Sequence, residues 1–144
     1  MASVKEAAKE AGVLVPKLMA SMKGKFFVSE NITPQQMVTI LQINEIGPCK
    51  ISRVACRMDV SAPTMTGLVD RLQRSGYVER VKDTEDRRII YVRITKKGKK
   101  IVEQLKKAIQ TRWEEVLGYL TDKEREDYIK ILKTTLKALE KQEK

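Results

Sequence analysis

The stretch "SAPTMTGLVDRLQRSGYVERVKDTEDRRIIYVRI", residues 61–94, changes its hydrophobic period once, at Gly76. Before that glycine, Met65, Leu68, Val69 and Leu72 recur at three- and four-residue spacing, the period of a helix with one buried face. Ser61 stands where an N-cap is needed and Pro63 falls in the first turn, so the start of the helix is also legible. Beyond the glycine, Tyr77–Val81 and Ile89–Ile94 are β-branched and aromatic. Val78/Arg80 and Ile90/Val92/Ile94 alternate with period two, and two such runs around a short polar loop predict a hairpin.

Upstream, Asp59-Val60 reads as a tight turn, and Ile51, Val54, Ala55 and Met58 mark the buried face of a short helix. Gly47-Pro48 ends an earlier helix that opens at Thr33-Pro34-Gln35-Gln36, a capping box with proline at the first helical position. Residues 3–23 carry Ala7, Ala8, Ala11, Leu14, Val15, Leu18, Met19 and Met22 at helical spacing, but Gly12 and Pro16 interrupt them and predict a kinked or two-piece helix. Downstream, Thr95 caps a long helix through Val102, Leu105, Ile109, Trp113, Val116 and Leu120. Thr121 and Glu124 form a second capping box before a helix marked by Tyr128, Ile131, Leu132, Thr135, Leu136 and Leu139. The expected fold class is mainly α with a small β-hairpin, organised as residues 1–32, 33–100 and 101–144.

Helix, turn, helix and then hairpin is the order of a DNA-reading unit in which the second helix enters a major groove and the hairpin, a wing, reaches the flanking minor groove. Charge supports a polyanionic partner. Between Lys50 and Lys100 there are 14 Lys/Arg against 6 Asp/Glu, a net of +8 out of the chain's +10. The wing loop itself, Lys82 to Arg88, is neutral, with Lys82, Arg87 and Arg88 set against Asp83, Glu85 and Asp86. A carboxylate beside an arginine holds the guanidinium in one direction through a bidentate hydrogen bond, so neutrality there serves aim.

Composition excludes other classes. A chain of 144 residues with 42% hydrophobic content supports one domain with helical extensions and leaves no room for a second enzyme-sized domain. It has no histidine, which argues against a mononuclear zinc or iron site and removes the commonest general base, so neither enzyme activity nor a metal or other cofactor is expected. Cys49 and Cys56 are too few for a disulfide framework and read as small buried hydrophobes. The first 25 residues lack a signal peptide's apolar block, so a cytoplasmic protein with no membrane partner is expected.

The run "ITPQQMVTILQI…GPCKISRVACRMDVSAPTMTGLVDRLQRSGYVERVKDTEDRRIIYVRITKKGKKI" resembles the MarR family of winged-helix transcriptional regulators. The most specific part is a recognition helix ending in D-R-L, then G-x-V-x-R, D-x-x-D-R-R and a threonine-led helix start with glycine. The resemblance implies a dimer with intertwined terminal helices and two winged domains on adjacent major grooves. The residues point the same way, because the apolar faces of 3–23 and 102–139 exceed what a central domain of about 65 residues covers. The implied partner is a pseudo-palindromic double-stranded operator.

Carried over by position, Ser61, Ala62, Pro63, Thr64, Thr66, Gly67 and Arg71 belong to the recognition helix. Arg53, Arg57 and Arg74 are phosphate contacts, with Arg71 able to serve as one too. Asp86, Arg87 and Arg88 form the wing tip. Gly67 stands where the family often has a longer polar or basic side chain, which removes one direct base contact and leaves reading to the threonines, water and DNA shape.

Family members often release DNA on binding a small aromatic or phenolic ligand, and Met19, Met22, Phe26, Phe27 and Met37 are the candidate pocket; an ordinary core cluster is the competing reading. The expected function is a ligand-released dimeric repressor. A ligand-independent regulator or activator, and a winged domain used for protein contacts, are the alternatives.

Overall fold

The capping signals set the element boundaries. A computed structural model describes residues 2–22 and 32–142. Its elements are α1 (Val4–Met22), α2 (Pro34–Ile46), α3 (Ile51–Arg57), α4 (Ala62–Arg74), β1 (Val78–Lys82), β2 (Ile90–Ile94), α5 (Lys96–Leu117) and α6 (Asp122–Gln142). Thr33 closes a full capping box on α2: its hydroxyl accepts from Gln36 N at 3.2 Å and its own N–H donates to Gln36 Oε1 at 2.9 Å. Thr121 and Glu124 repeat the arrangement on α6, with Thr121 N donating to Glu124 Oε2 at 2.8 Å. Bonds from the Thr121 backbone and then its side chain hold the Glu124 carboxyl below its usual pKa.

The chain divides into two compact units at residue 108, and α5 begins in the first and ends in the second. In the first unit, Ile40 and Ile43 of α2, Val54 and Ala55 of α3, and Met65, Leu68, Val69 and Leu72 of α4 share one core with Val78, Val92, Ile101, Val102 and Leu105. All four apolar residues expected on the inner face of α4 are buried, each removal from water being worth about 1.5–3 kcal/mol. Gly76, at φ 78°, turns the chain from α4 into β1 in a backbone region that other residues rarely enter. The hairpin is antiparallel with Val78 opposite Ile94, Arg80 opposite Val92 and Lys82 opposite Ile90. Cys49 adds a one-residue bridge on the far side of β2, exchanging bonds with Val92 at 2.8 and 3.2 Å.

Two expectations are corrected. Residues 4–22 form one helix with Pro16 inside it, so of the kinked and two-piece forms expected there the two-piece form is ruled out. The alanines, lysines and leucines elsewhere in α1 outweigh the one hydrogen bond that proline removes, which leaves the Gly12 carbonyl without its helical partner. Cys56 is exposed, not buried. On α3 it lies one residue, about 100° of helix, past buried Ala55, which turns it off the inner face. Cys49 is buried as expected, and desolvation pushes its thiol pKa up.

In the second unit, Trp113 packs on Tyr128 with ring centroids 5.9 Å apart. None of the described residues of α6 is buried, and within α1 only Met22 is. No helix among the described residues is long and apolar enough to cross a membrane.

Candidate nucleic-acid interface

The outer face of α4 is built from its start. Ser61 caps the helix, its hydroxyl accepting from Thr64 N at 3.3 Å and donating to Thr64 Oγ1 at 2.8 Å. Ser61, Ala62, Pro63, Thr64 and Thr66 are exposed and Gly67 is half-buried. A Cβ added at Gly67 would meet nothing within 4 Å, so the glycine leaves open space on the outer face. Short hydroxyls and a bare backbone leave this face open to close approach, while the direct contact that a longer side chain at position 67 would make is absent.

Arg53, Arg71 and Arg74 are exposed and make no ion pair among the described residues. Arg57 differs, because its guanidinium donates to Glu45 Oε1 of α2 at 2.8 Å. A phosphate contact by Arg57 therefore competes with that pair, which is exposed and weak.

The loop 83–89 explains its own charge pattern. Asp83 Oδ1 accepts from Glu85 N at 3.0 Å, and Asp83 N donates to Ile89 O at 2.9 Å, closing the loop. Asp86 Oδ1 accepts from Arg88 N at 3.0 Å. The same carboxylate forks the Arg88 side chain, with Nε to Oδ1 and Nη2 to Oδ2 both at 3.1 Å. The Arg88 side chain is 91% exposed against 38% for Asp86, so the arginine projects outward while its aiming group sits closer to the loop. The side-chain bond from Arg88, then the backbone one, lowers the Asp86 pKa, so the fork persists as pH falls until that depressed value is reached. Two of the loop's three acids thus organise backbone, and Arg87 is exposed with no ion pair among the described residues.

Sequence reasoning missed Arg80. Its Nη2 donates to Asp70 Oδ1 at 2.6 Å and its Nη1 donates to Gln73 Oε1, tying β1 to the outer side of α4. The available signal was an arginine in the strand period of buried Val78, a place where a charge needs a partner. Lys97 was missed as well. Its ammonium donates to Ser75 O at 2.8 Å, at the end of α4, and stands 5.3 Å from the Tyr77 ring centroid.

Of the candidate pocket, Met22 is buried, Met37 packs half-buried against the core, and Met19 is 65% exposed. Phe26 and Phe27 lie outside the described residues. No group of three or more His, Cys, Asp or Glu side chains with metal-binding placement occurs among the described residues.

A model of the MarR family matches residues 32–90. The uncharacterized HTH-type transcriptional regulator YfiV of Bacillus subtilis (strain 168) is 33% identical over 140 residues, spanning 94% of this chain and 87% of that protein. The HTH-type transcriptional repressor MdtR of the same organism is 30% identical over 112 residues, 76% of this chain and 67% of its own. Among solved structures, a MarR family protein from Bacillus stearothermophilus superposes with a TM-score of 0.83 at 26% identity, covering 96% of this chain and 99% of that one. Streptococcus pneumoniae FabT, solved in complex with DNA, shares the fold at a TM-score of 0.76 and 23% identity, covering 96% and 99%. With a helix-turn-helix followed by a wing, and with relatives that regulate transcription and are not enzymes, the chain belongs to the MarR family of DNA-binding transcriptional regulators.

Proposed function

We propose that the protein is a homodimeric repressor acting in the cytoplasm on a pseudo-palindromic operator, with α4 in the major groove and the wing in the minor groove. The observation that carries this reading is the outward-projecting Arg88, already forked by Asp86, on the same unit as an exposed, short-chained α4 face. In this reading Thr64 and Thr66 contribute to base reading, Arg53, Arg71, Arg74 and Arg87 meet phosphates, and Arg57 does so on leaving Glu45. Residues 33–100 bind DNA, while 1–32 and 101–144 assemble the dimer through apolar stripes on α1 and α6 that a single chain leaves exposed. MdtR and the homoprotocatechuate degradative operon repressor of Escherichia coli are named repressors, which favours repression over activation. A small aromatic or phenolic compound is the proposed releasing ligand.

Footprinting on the DNA upstream of the protein's own gene tests this, with titration over a salt series and with phenolic carboxylates as probes. Two protected half-sites about one helical turn apart are expected, with affinity falling steeply as salt rises and protection lost on adding an effective phenol. Equal affinity for random duplex, or a flat salt response, contradicts the operator reading. Protection that no phenol disturbs contradicts the ligand.

A further inference from the structure

Arg80 occupies a place where a cation is costly unless it is used. On β1 it shares a face with Val78 and Lys82, and opposite it on β2 stands Val92. Val78 and Val92 are buried, so the Arg80 side chain leaves the hairpin on its core side and reaches the rim of α4, where it is 25% exposed. There the planar guanidinium is shared between two acceptors, Asp70 and Gln73, three residues apart on the helix.

The flank it grips is informative. Helical spacing puts Asp70 one turn after Thr66, and Gln73 one further turn along the same side, while Thr64 and Arg71 fall on the opposite flank. Arg80 therefore closes on the side of α4 that carries Thr66. The hairpin it belongs to also carries Arg88 at its far end, and a two-stranded ribbon held only at its base is free to twist. Val78, Val92 and the Cys49 bridge hold that base. Arg80 adds the lateral tie between ribbon and helix.

We propose that Arg80 is a positioning residue whose fork on Asp70 and Gln73 sets the angle between α4 and the wing, so that the Thr66 flank and Arg88 engage adjoining grooves in one register. This rests on the DNA-binding mode proposed above. In this arrangement Asp70 is neutralised by Arg80, and Arg80 itself neutralises no phosphate. The competing role, a simple phosphate contact, predicts different responses to the same substitutions.

Arg80→Lys keeps the charge but replaces a planar fork with a single point donor. In the wild type, Arg88→Ala is expected to weaken operator binding about tenfold. In the Arg80→Lys background the same change should cost less than about twofold, because the wing no longer delivers Arg88 to its groove. The salt slope should stay the same. Asp70→Asn, the second variant, should weaken operator binding although it makes the surface more positive. An undiminished Arg88→Ala penalty in Arg80→Lys, or tighter binding by Asp70→Asn, overturns the proposal.

Residual dipolar couplings on the free proteins provide the arm that needs no DNA. Amides of α4 and of residues 82–90 should fit one alignment tensor in the wild type, and the hairpin couplings should shrink in Arg80→Lys and in Asp70→Asn. Unchanged hairpin couplings overturn the tie. If Arg88→Ala costs nothing even in the wild type, it is the DNA-binding mode that fails, and the couplings still decide whether Arg80 holds the wing.

Discussion

Gly98→Ala is expected to destabilise the protein by about 3 kcal/mol or more and to lower its melting temperature by about 10 °C. The sign is opposite to the ordinary one, since alanine normally improves on glycine inside a helix by about 1 kcal/mol. In the first turn of α5, however, a Cβ on Gly98 would overlap the Tyr77 carbonyl oxygen, with the carbonyl carbon at 2.9 Å and Ile94 Cγ2 at 3.0 Å. The Tyr77 backbone is held on both sides: its N–H donates to Leu72 O at 3.0 Å, and its carbonyl accepts from Thr95 N at 3.1 Å. Thr95 Oγ1 donates to Gly76 O at 2.6 Å and accepts from Gly98 N at 3.0 Å, completing a junction that fastens the end of α4 to the start of α5. Nothing in that junction gives way cheaply. Gly67→Ala is the control, because inside α4 and away from the proposed dimer helices its Cβ would meet nothing within 4 Å, so it should raise stability by about 0.5–1 kcal/mol. Thermal denaturation of both variants checks the pair, and a Gly98→Ala protein as stable as the wild type contradicts the close approach.

The second large effect is expected at α6. Leu132 and Leu136 are 39% and 58% exposed in the single chain, and with Tyr128 and Leu139 they follow a helical stripe. Placing glutamates there costs an isolated chain little, since the side chains already face water and glutamate is a good helix former. In a dimer that buries the stripe, the same charges face each other without partners. Leu132→Glu/Leu136→Glu should therefore sediment at the 16.5 kDa of one chain while the wild type runs at twice that mass. Operator affinity should fall about 10²- to 10⁴-fold, because each half-site is then bound without the gain from linkage. A variant that stays dimeric and binds as before would show that this face of α6 is not the interface.

What was legible in the sequence was what local chemistry determines. Thr33 with Gln36 and Thr121 with Glu124 mark helix starts because each box closes within four residues. Met65, Leu68, Val69 and Leu72 announce the buried side of α4 by spacing alone, and Gly76 announces its end. The pairing of Asp86 with Arg88 is two residues long and equally local. The features that escaped depend on how distant segments meet. Arg80 finds Asp70 only because the hairpin packs on α4 in one register, and Gly98 matters only because α5 lands on the Tyr77 backbone. Pro16 ends no helix for a related reason: the single hydrogen bond it removes is outweighed by the turns on either side, which the alanines, lysines and leucines of α1 carry. Cys56 was read by residue type, while its exposure follows from the phase of a seven-residue helix.

Whether the wing carboxylate aims Arg88 at DNA is tested most directly by operator titration of Asp86→Asn at a single salt concentration. Asparagine keeps an oxygen for the Arg88 N–H, so the loop retains its backbone bond. It replaces the second oxygen of the fork with an amide that cannot accept from the guanidinium. The substitution also removes a negative charge, so a loop acting through charge alone must bind DNA more tightly afterwards. An aimed Arg88 predicts the opposite, binding weakened by about threefold or more, with no further loss when Arg88 is already alanine. Tighter operator binding by Asp86→Asn would contradict the account.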